Sequence, residues 1–77
     1  MSSQQRVLEL LEMLGGQAHA REIRELAIRL EPSSSLATIK GHVHVKLRRL
    51  HSWGLVEVTL DEHGRLLYTL GKVQIDA

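Results

Sequence analysis

The sequence predicts a small α+β fold in which three helices are followed by a two-stranded antiparallel hairpin. Apolar residues recur at steps of three and four along three successive segments, which is the spacing of one helix face. Two later segments alternate apolar and polar residues, as half-buried strands do. The chain has 77 residues, of which 43% are hydrophobic and 25% charged. These values suit one globular domain with a small core.

The first two helices are predicted from local signals. The first extends from Ser3 to Leu14, and the glycine pair after it ends the helix because glycine readily takes the left-handed conformation of a helix terminus. The second extends from about Ala20 to Leu30, and Pro32 prevents its simple continuation. Between these helices, residues 17–19 are too few to form more than a bridging strand.

The third helix is predicted from about Ser35 to Ser52. Five apolar residues at helical spacing lie on its inner face: Leu36, Ile39, Val43, Leu47 and Leu50. Gly41 costs about 1 kcal/mol relative to alanine within a helix. It indicates either a bend or early break, leaving a separate turn over residues 36–40, or a close approach of the helix backbone to a phosphate chain. Gly54 ends the helix.

The strands are predicted over residues 55–60 and 65–70, with the turn Asp61-Glu62-His63-Gly64 between them. Tyr68 alternates with leucines and is expected in the core. Trp53 is expected to close the edge of the core where helix meets hairpin, and a stacking platform for bases is the alternative. The single domain covers residues 1–77, with its core over about 3–70 and a tail without a clear pattern over 71–77.

Charge is distributed unevenly along the chain. The formal net charge is only +1. Residues 32–56 contain four Lys or Arg and no Asp or Glu, so this segment is +4 and the remainder is −3. A small nucleic-acid-binding domain needs such an asymmetry to present one face and not another. An ordinary solvated helix surface is the alternative explanation.

Several classes of protein are disfavoured. The absence of cysteine excludes disulfides and cysteine-based zinc modules. The lack of a signal peptide pattern and of an apolar run near ~18 residues favours a cytoplasmic protein without membrane contact. His44 and His51 share a helix face but are separated by two turns, about 10.5 Å. We therefore expect no metal, no cofactor, no small-molecule ligand and no enzymatic activity.

One motif carries a resemblance to a known family. The segment LRRL beginning at Leu47 is followed by HSW and then by GLV beginning at Gly54. This order resembles the winged helix-turn-helix domains of bacterial and archaeal regulators, of which the MarR and ArsR types are examples. The segment REIRELA beginning at Arg21 resembles their second helix. The resemblance covers about Val7 to Leu70, although the connection between the second and third helices is longer than is typical.

The resemblance implies a sequence-specific protein that binds double-stranded DNA and regulates transcription. In the family the third helix enters the major groove and the hairpin, or wing, reaches the adjacent backbone or minor groove. We expect base contacts from Thr38, His42 and His44, whose side chains can meet donors or acceptors. Phosphate contacts are expected from Ser34, Ser35, Lys40, Lys46, Arg48, Arg49 and Arg65.

A homodimer is expected because one such helix reads only a few base pairs. Apolar residues outside the core stripes could form its contact, namely Leu8, Met13, Ile28, Val45 and Leu67. Asp61 and Glu62, at the wing tip, oppose DNA binding. They support a second hypothesis, in which the domain is a protein–protein interaction module within a larger assembly.

Overall fold

A computed structural model describes residues 3–38 and 43–71. Its helices are α1 (Ser3–Met13), α2 (Ala20–Leu30) and α3 (Val43–Ser52), and a 3-10 turn (Ser35–Ala37) lies between α2 and α3. The strands are β1 (Gln17–Ala18), β2 (Val56–Leu60) and β3 (Leu66–Leu70). The architecture is therefore the predicted α+β fold, three helices and an antiparallel hairpin, and it is compatible with a winged helix. Residues 72–77, most of the predicted tail, lie outside the described part.

The sheet contains one strand more than the hairpin itself. Its order is β1-β3-β2, with both pairs antiparallel. Tyr68 stands at the centre, because it is the partner of Ala18 on one side and of Val58 on the other. The short β1 is thus a bridging strand, as predicted, and it attaches the base of the hairpin to the helices. In the turn, Gly64 has a φ of 78°, as expected for its position.

The core lies between the three helices and the inner face of the sheet. Its members are each at most 4% exposed: Val7, Leu10, Leu11, Ala18, Ile23, Ala27, Leu36, Val43, Leu47, Leu50, Val56 and Tyr68. The prediction that Tyr68 belongs to the core is confirmed. Of the five residues expected on the inner face of the third helical segment, four are buried, and Ile39 lies outside the described residues.

Two helices end in the same glycine-dependent turn. At the end of α1 the Gly16 N–H donates to the Leu11 carbonyl, and at the end of α3 the Leu55 N–H donates to the Leu50 carbonyl. In both places a glycine with positive φ allows the reversal, Gly15 at 91° and Gly54 at 79°. These bonds satisfy carbonyls that the helix leaves without partners.

The expected position of Trp53 is wrong. Its side chain is 58% exposed and does not close the core. Trp53 occupies the last position before the reversal at Gly54, and its N–H still donates to the Arg49 carbonyl. The apolar residue that turns back onto the core is the next one after the glycine, Leu55.

The expected length of the third helix is also wrong. The helical path is interrupted: the 3-10 turn ends at Ala37, Thr38 is extended with φ −104° and ψ 158°, and α3 begins only at Val43. A local hydrogen bond favours this interruption, since the Thr38 hydroxyl donates to the Ser35 carbonyl over 2.8 Å. This agrees with an early break, one of the two interpretations of Gly41, although Gly41 itself lies outside the described residues.

Within the described part of the chain, none of the helices is long and apolar enough to cross a membrane.

Candidate nucleic-acid interface

The outer face of α3 is cationic and lacks acidic residues. Helical spacing turns Val43, Leu47 and Leu50 into the core, so the residues between them point outward. His44, Arg48 and Arg49 are exposed, and Lys46 is half-buried at the flank. The ten-residue sequence of α3 contains no Asp or Glu. The helix therefore presents basic groups to solvent and contributes no acidic side chain of its own.

His51, also on α3, has a structural role. Its Nδ1 lies 3.0 Å from the Val56 carbonyl oxygen, so the ring N–H can donate to the first residue of β2. This bond connects the last turn of α3 to the strand that follows. It helps hold the hairpin in a constant position relative to the helix.

The residues predicted before α3 are placed differently from expectation. The Ser34 hydroxyl accepts a hydrogen bond from the Leu36 N–H over 3.1 Å and caps the 3-10 turn instead of a long helix. Ser35 and Thr38 are exposed and bonded to each other. Because Thr38 is extended, it does not continue the face of α3. Its expected contact with base edges stays a prediction. Lys40 and His42 lie outside the described residues.

An open groove joins the N-terminal end of α2, the start of α3 and β3. Its volume is about 630 Å³. It brings together two predicted site residues, His44 from α3 and Arg65 from the end of the turn, with Arg21 of α2 beside them. The remaining lining residues are His19, Ala20, Glu22, Glu25, Leu66 and Tyr68. The groove is therefore mixed in charge, with an apolar floor formed by the strand.

Arg48 acts electrostatically on Tyr68, one of the residues that line the groove. Burial raises the pKa of the Tyr68 phenol, and the nearby positive charge of Arg48 partly opposes this effect. His44, which lines the groove, and Arg48 are one helical turn apart and therefore form a row on one exposed face of α3.

Arg21 and Arg24 of α2 were missed by the sequence reasoning. A second groove of about 200 Å³ is lined by Ala20, Arg21, Arg24, Val43 and His44. The two arginines are three residues apart and so share one face of α2. This i, i+3 spacing in AREIRELAIRL was a usable signal, but their approach to His44 depends on how α2 crosses α3.

The acidic turn is less available than its sequence suggests. Asp61 Oδ1 accepts hydrogen bonds from the backbone N–H groups of His63 and Arg65, at 2.8 and 2.9 Å. These bonds, first of all the one from Arg65, lower the pKa of Asp61 to about 2. Its other oxygen, Oδ2, lies 2.7 Å from His19 Nε2. Asp61 therefore holds the turn together, and Glu62 is the acid that projects into solvent.

The residues expected at a dimer contact are only partly exposed. Met13 is 58% and Ile28 is 41% exposed, whereas Leu8, Val45 and Leu67 are half-buried. Across residues 3–38 and 43–71, no group of three His, Asp or Glu side chains is placed to hold a metal ion.

Comparison of the chain with profiles of known protein families, with curated proteins and with solved structures finds no match.

Proposed function

We propose that this chain is a winged-helix domain that binds double-stranded DNA with sequence preference and regulates transcription, with α3 in the major groove. The observation that carries the proposal is the outer face of α3, which is exposed, cationic and free of acidic residues. Ten residues span about 15 Å, enough for a helix to lie along a groove about 12 Å wide and reach several base pairs.

The residues take different roles in this proposal. Arg48 and Arg49 project from the middle and end of α3 and would pair with phosphates, since guanidinium groups match phosphate oxygens with two parallel hydrogen bonds. His44, in the first turn of α3, would meet base edges. Arg65 would contact the backbone from the hairpin, and Arg21 would do so from the start of α2. Both of these residues line the groove beside His44.

Salt dependence tests the proposal. Binding to random duplex DNA is measured by fluorescence anisotropy at several salt concentrations between 50 and 200 mM. The logarithm of affinity should fall linearly with that of salt, by about 0.9 for each phosphate neutralised. Failure to bind even at the lowest salt concentration would refute the proposal.

A matched pair of variants tests the surface. Arg48→Ala should weaken binding to every duplex and reduce the salt slope by about 0.9. Arg29→Ala removes the same charge from the last turn of α2, about 12 Å along that helix from Arg21, and should leave the slope unchanged. Equal losses in the two variants would mean that net charge, not the α3 face, governs binding.

Sequence preference is tested separately. Selection of bound duplexes from a random pool should enrich a motif, and His44→Ala should flatten that preference more than it lowers affinity. If the protein binds as a homodimer, the enriched motif should contain two related half-sites about 34 Å apart, one turn of DNA. Enrichment that is unchanged by His44→Ala would place the base-reading residues elsewhere.

A protein–protein interaction module is the second candidate function. The observation that favours it is the pair Leu60 and Leu66, which face each other at the turn end of the hairpin and are 66% and 49% exposed. Contiguous exposed apolar side chains can form part of a surface that binds another protein. Absence of DNA binding at low salt would favour this function over the first.

A further inference from the structure

The imidazole of His19 lies between two carboxylates from distant parts of the chain. Its Nδ1 is 2.8 Å from Glu22 Oε1, in the first turn of α2, and its Nε2 is 2.7 Å from Asp61 Oδ2, in the β2–β3 turn. Asp61 follows His19 by 42 residues. The side chain of His19 therefore connects the N-terminal end of α2 to the tip of the hairpin.

This arrangement requires a proton. An ionised carboxylate can only accept hydrogen bonds, and a neutral imidazole carries a single N–H. Both contacts are hydrogen bonds only when both ring nitrogens are protonated. In the neutral ring, one nitrogen lone pair would face a carboxylate oxygen at less than 3 Å. Loss of the proton therefore removes one of the two bonds and replaces it with repulsion.

The surrounding charges favour the protonated ring. Glu22 and Glu25 of α2 line the groove with His19, and Asp61 of the turn contacts the ring directly. The hydrogen bond to Glu22 and then that to Asp61 raise the pKa of His19, and burial opposes them more weakly. The pKa of Glu22 is lowered, chiefly by the backbone N–H of His19, so this carboxylate remains ionised.

Bases in the same groove act against that shift. Arg21 from α2, His44 from α3 and Arg65 from the hairpin line it. None of them stands between His19 and its two carboxylates, which are in direct hydrogen-bond contact at 2.7 and 2.8 Å. The contacts at the ring therefore outweigh the more distant cations.

The tip of the hairpin has little else to hold it to the helices. Its base is anchored, because the Leu70 N–H donates to the Gly16 carbonyl and Ala18 pairs with Tyr68. Towards the turn, β1 has ended, and the inner-face residues Leu60 and Leu66 are largely exposed instead of packed on the core. The contact between His19 and Asp61 thus bears directly on the position of the tip.

We propose that His19 is a proton-dependent clamp that fixes the tip of the β2–β3 hairpin to α2. In the protonated state Asp61 is held and Arg65 is kept at the groove beside His44. In the neutral state the ring has one N–H and cannot donate to both carboxylates, so the hold on the tip is loosened while the base of the hairpin stays paired. The clamp is a property of the folded chain itself and does not depend on DNA binding.

The sign of the pH dependence follows from the two shifts. The pKa of His19 is raised above its ordinary 6.5, so its contribution is complete below that value and is lost as pH rises through the raised pKa. The pKa of Asp61 is lowered from 3.8 to about 2, so its contribution is complete above 3.8 and is lost as pH falls towards 2. The stabilisation by the clamp is therefore complete between roughly pH 4 and 6.5, and the clamp opens as pH rises through the raised pKa of His19.

Nuclear magnetic resonance titration of the whole chain tests the clamp. The His19 ring should titrate with a pKa above 6.5, and the backbone amides of Gly64 and Arg65 should shift with the same midpoint. Their hydrogen exchange, corrected for the intrinsic effect of pH, should accelerate several-fold above that midpoint. A His19 pKa at or below 6.5, or tip amides that do not follow the ring, would overturn the proposal.

Two variants sharpen the test. In Asp61→Asn the side-chain amide can donate to a neutral Nε2 while Nδ1–H still donates to Glu22, so the bridge no longer needs the extra proton. The His19 pKa should fall, and the loosening of the tip on the alkaline side should disappear, because the amide donates to the neutral ring. His63→Gln removes the exposed histidine of the same turn and should leave both titrations in place. Persistence of the alkaline loosening of the tip in Asp61→Asn, or its loss in His63→Gln, would assign it to another group.

Discussion

A leucine-to-alanine pair tests which face of α3 meets the core, and the whole candidate interface depends on that orientation. Leu47 is completely buried at the centre of α3, whereas Leu60 is 66% exposed in β2. Both substitutions remove the same three carbon atoms. Leu47→Ala should cost about 3 kcal/mol of unfolding free energy or more, since buried leucines lose transfer energy and leave a cavity.

The consequence for this chain is large. Typical values per residue predict a total stability of about 4–12 kcal/mol for a domain of this size. A loss of about 3 kcal/mol should lower the melting temperature by roughly 12–24 °C. Leu60→Ala should change the unfolding free energy by less than about 0.5 kcal/mol, because its side chain already meets water.

Urea unfolding followed by circular dichroism at 25 °C measures both variants against the parent chain. Helical content reports the transition directly. If Leu47→Ala costs less than about 1 kcal/mol, or no more than Leu60→Ala, the reasoning is refuted. The inner face of α3 would then be another one, and His44 and Arg48 would not share the exposed row described above.

Two further predictions concern the turns. Gly64→Ala should lower the free energy of unfolding, measured in urea, by about 1–2 kcal/mol. The added Cβ would meet open space, but the φ of 78° is strained for any residue with a side chain. An unchanged free energy of unfolding would contradict the left-handed turn. Trp53→Phe should change the unfolding free energy by less than about 0.5 kcal/mol, because the ring is 58% exposed. In the folded parent chain a soluble quencher should reduce the fluorescence of Trp53 nearly as well as in the chain unfolded by urea. Strong protection from the quencher would place the ring in the core.

Local patterns explain why most elements could be predicted. The first two helices and both strands follow from residues that are neighbours in sequence, such as the period of Val7, Leu10, Leu11 and Leu14 and the glycines at the ends. Each of these local patterns predicts one helix or strand, and the packing of the core favours the same element. Where a competing local bond exists, as between Thr38 and Ser35, the periodic pattern alone predicted a helix that is longer than the one formed.

The position of Trp53 shows a different limit. Its apolar ring and its place at the junction of helix and hairpin favoured burial. The turn at Gly54 reverses the chain so that Leu55, and not Trp53, packs against the core. The choice between two adjacent apolar residues depends on the direction of the backbone after α3. Composition does not specify that direction.

For the candidate site, the sequence by itself determined the acid-free amphipathic segment and most of its cations. Arg48, Arg49 and His44 could be assigned to the outer face because helical spacing is a local property. The sequence also determined the hairpin and its acidic turn. These features depend on a few residues around each position, so they can be seen before the chain is folded.

Only the tertiary structure decided which residues of these elements contact one another. It brought Arg21 beside His44, and it showed that Asp61 is engaged by His19 instead of projecting into solvent. These contacts join residues far apart in the chain, and they depend on how α2 crosses α3 and how β1 pairs with β3. Neither the composition of the chain nor the periodic spacing of its apolar residues specifies how these elements cross or pair, because that arrangement results from the packing of the whole core.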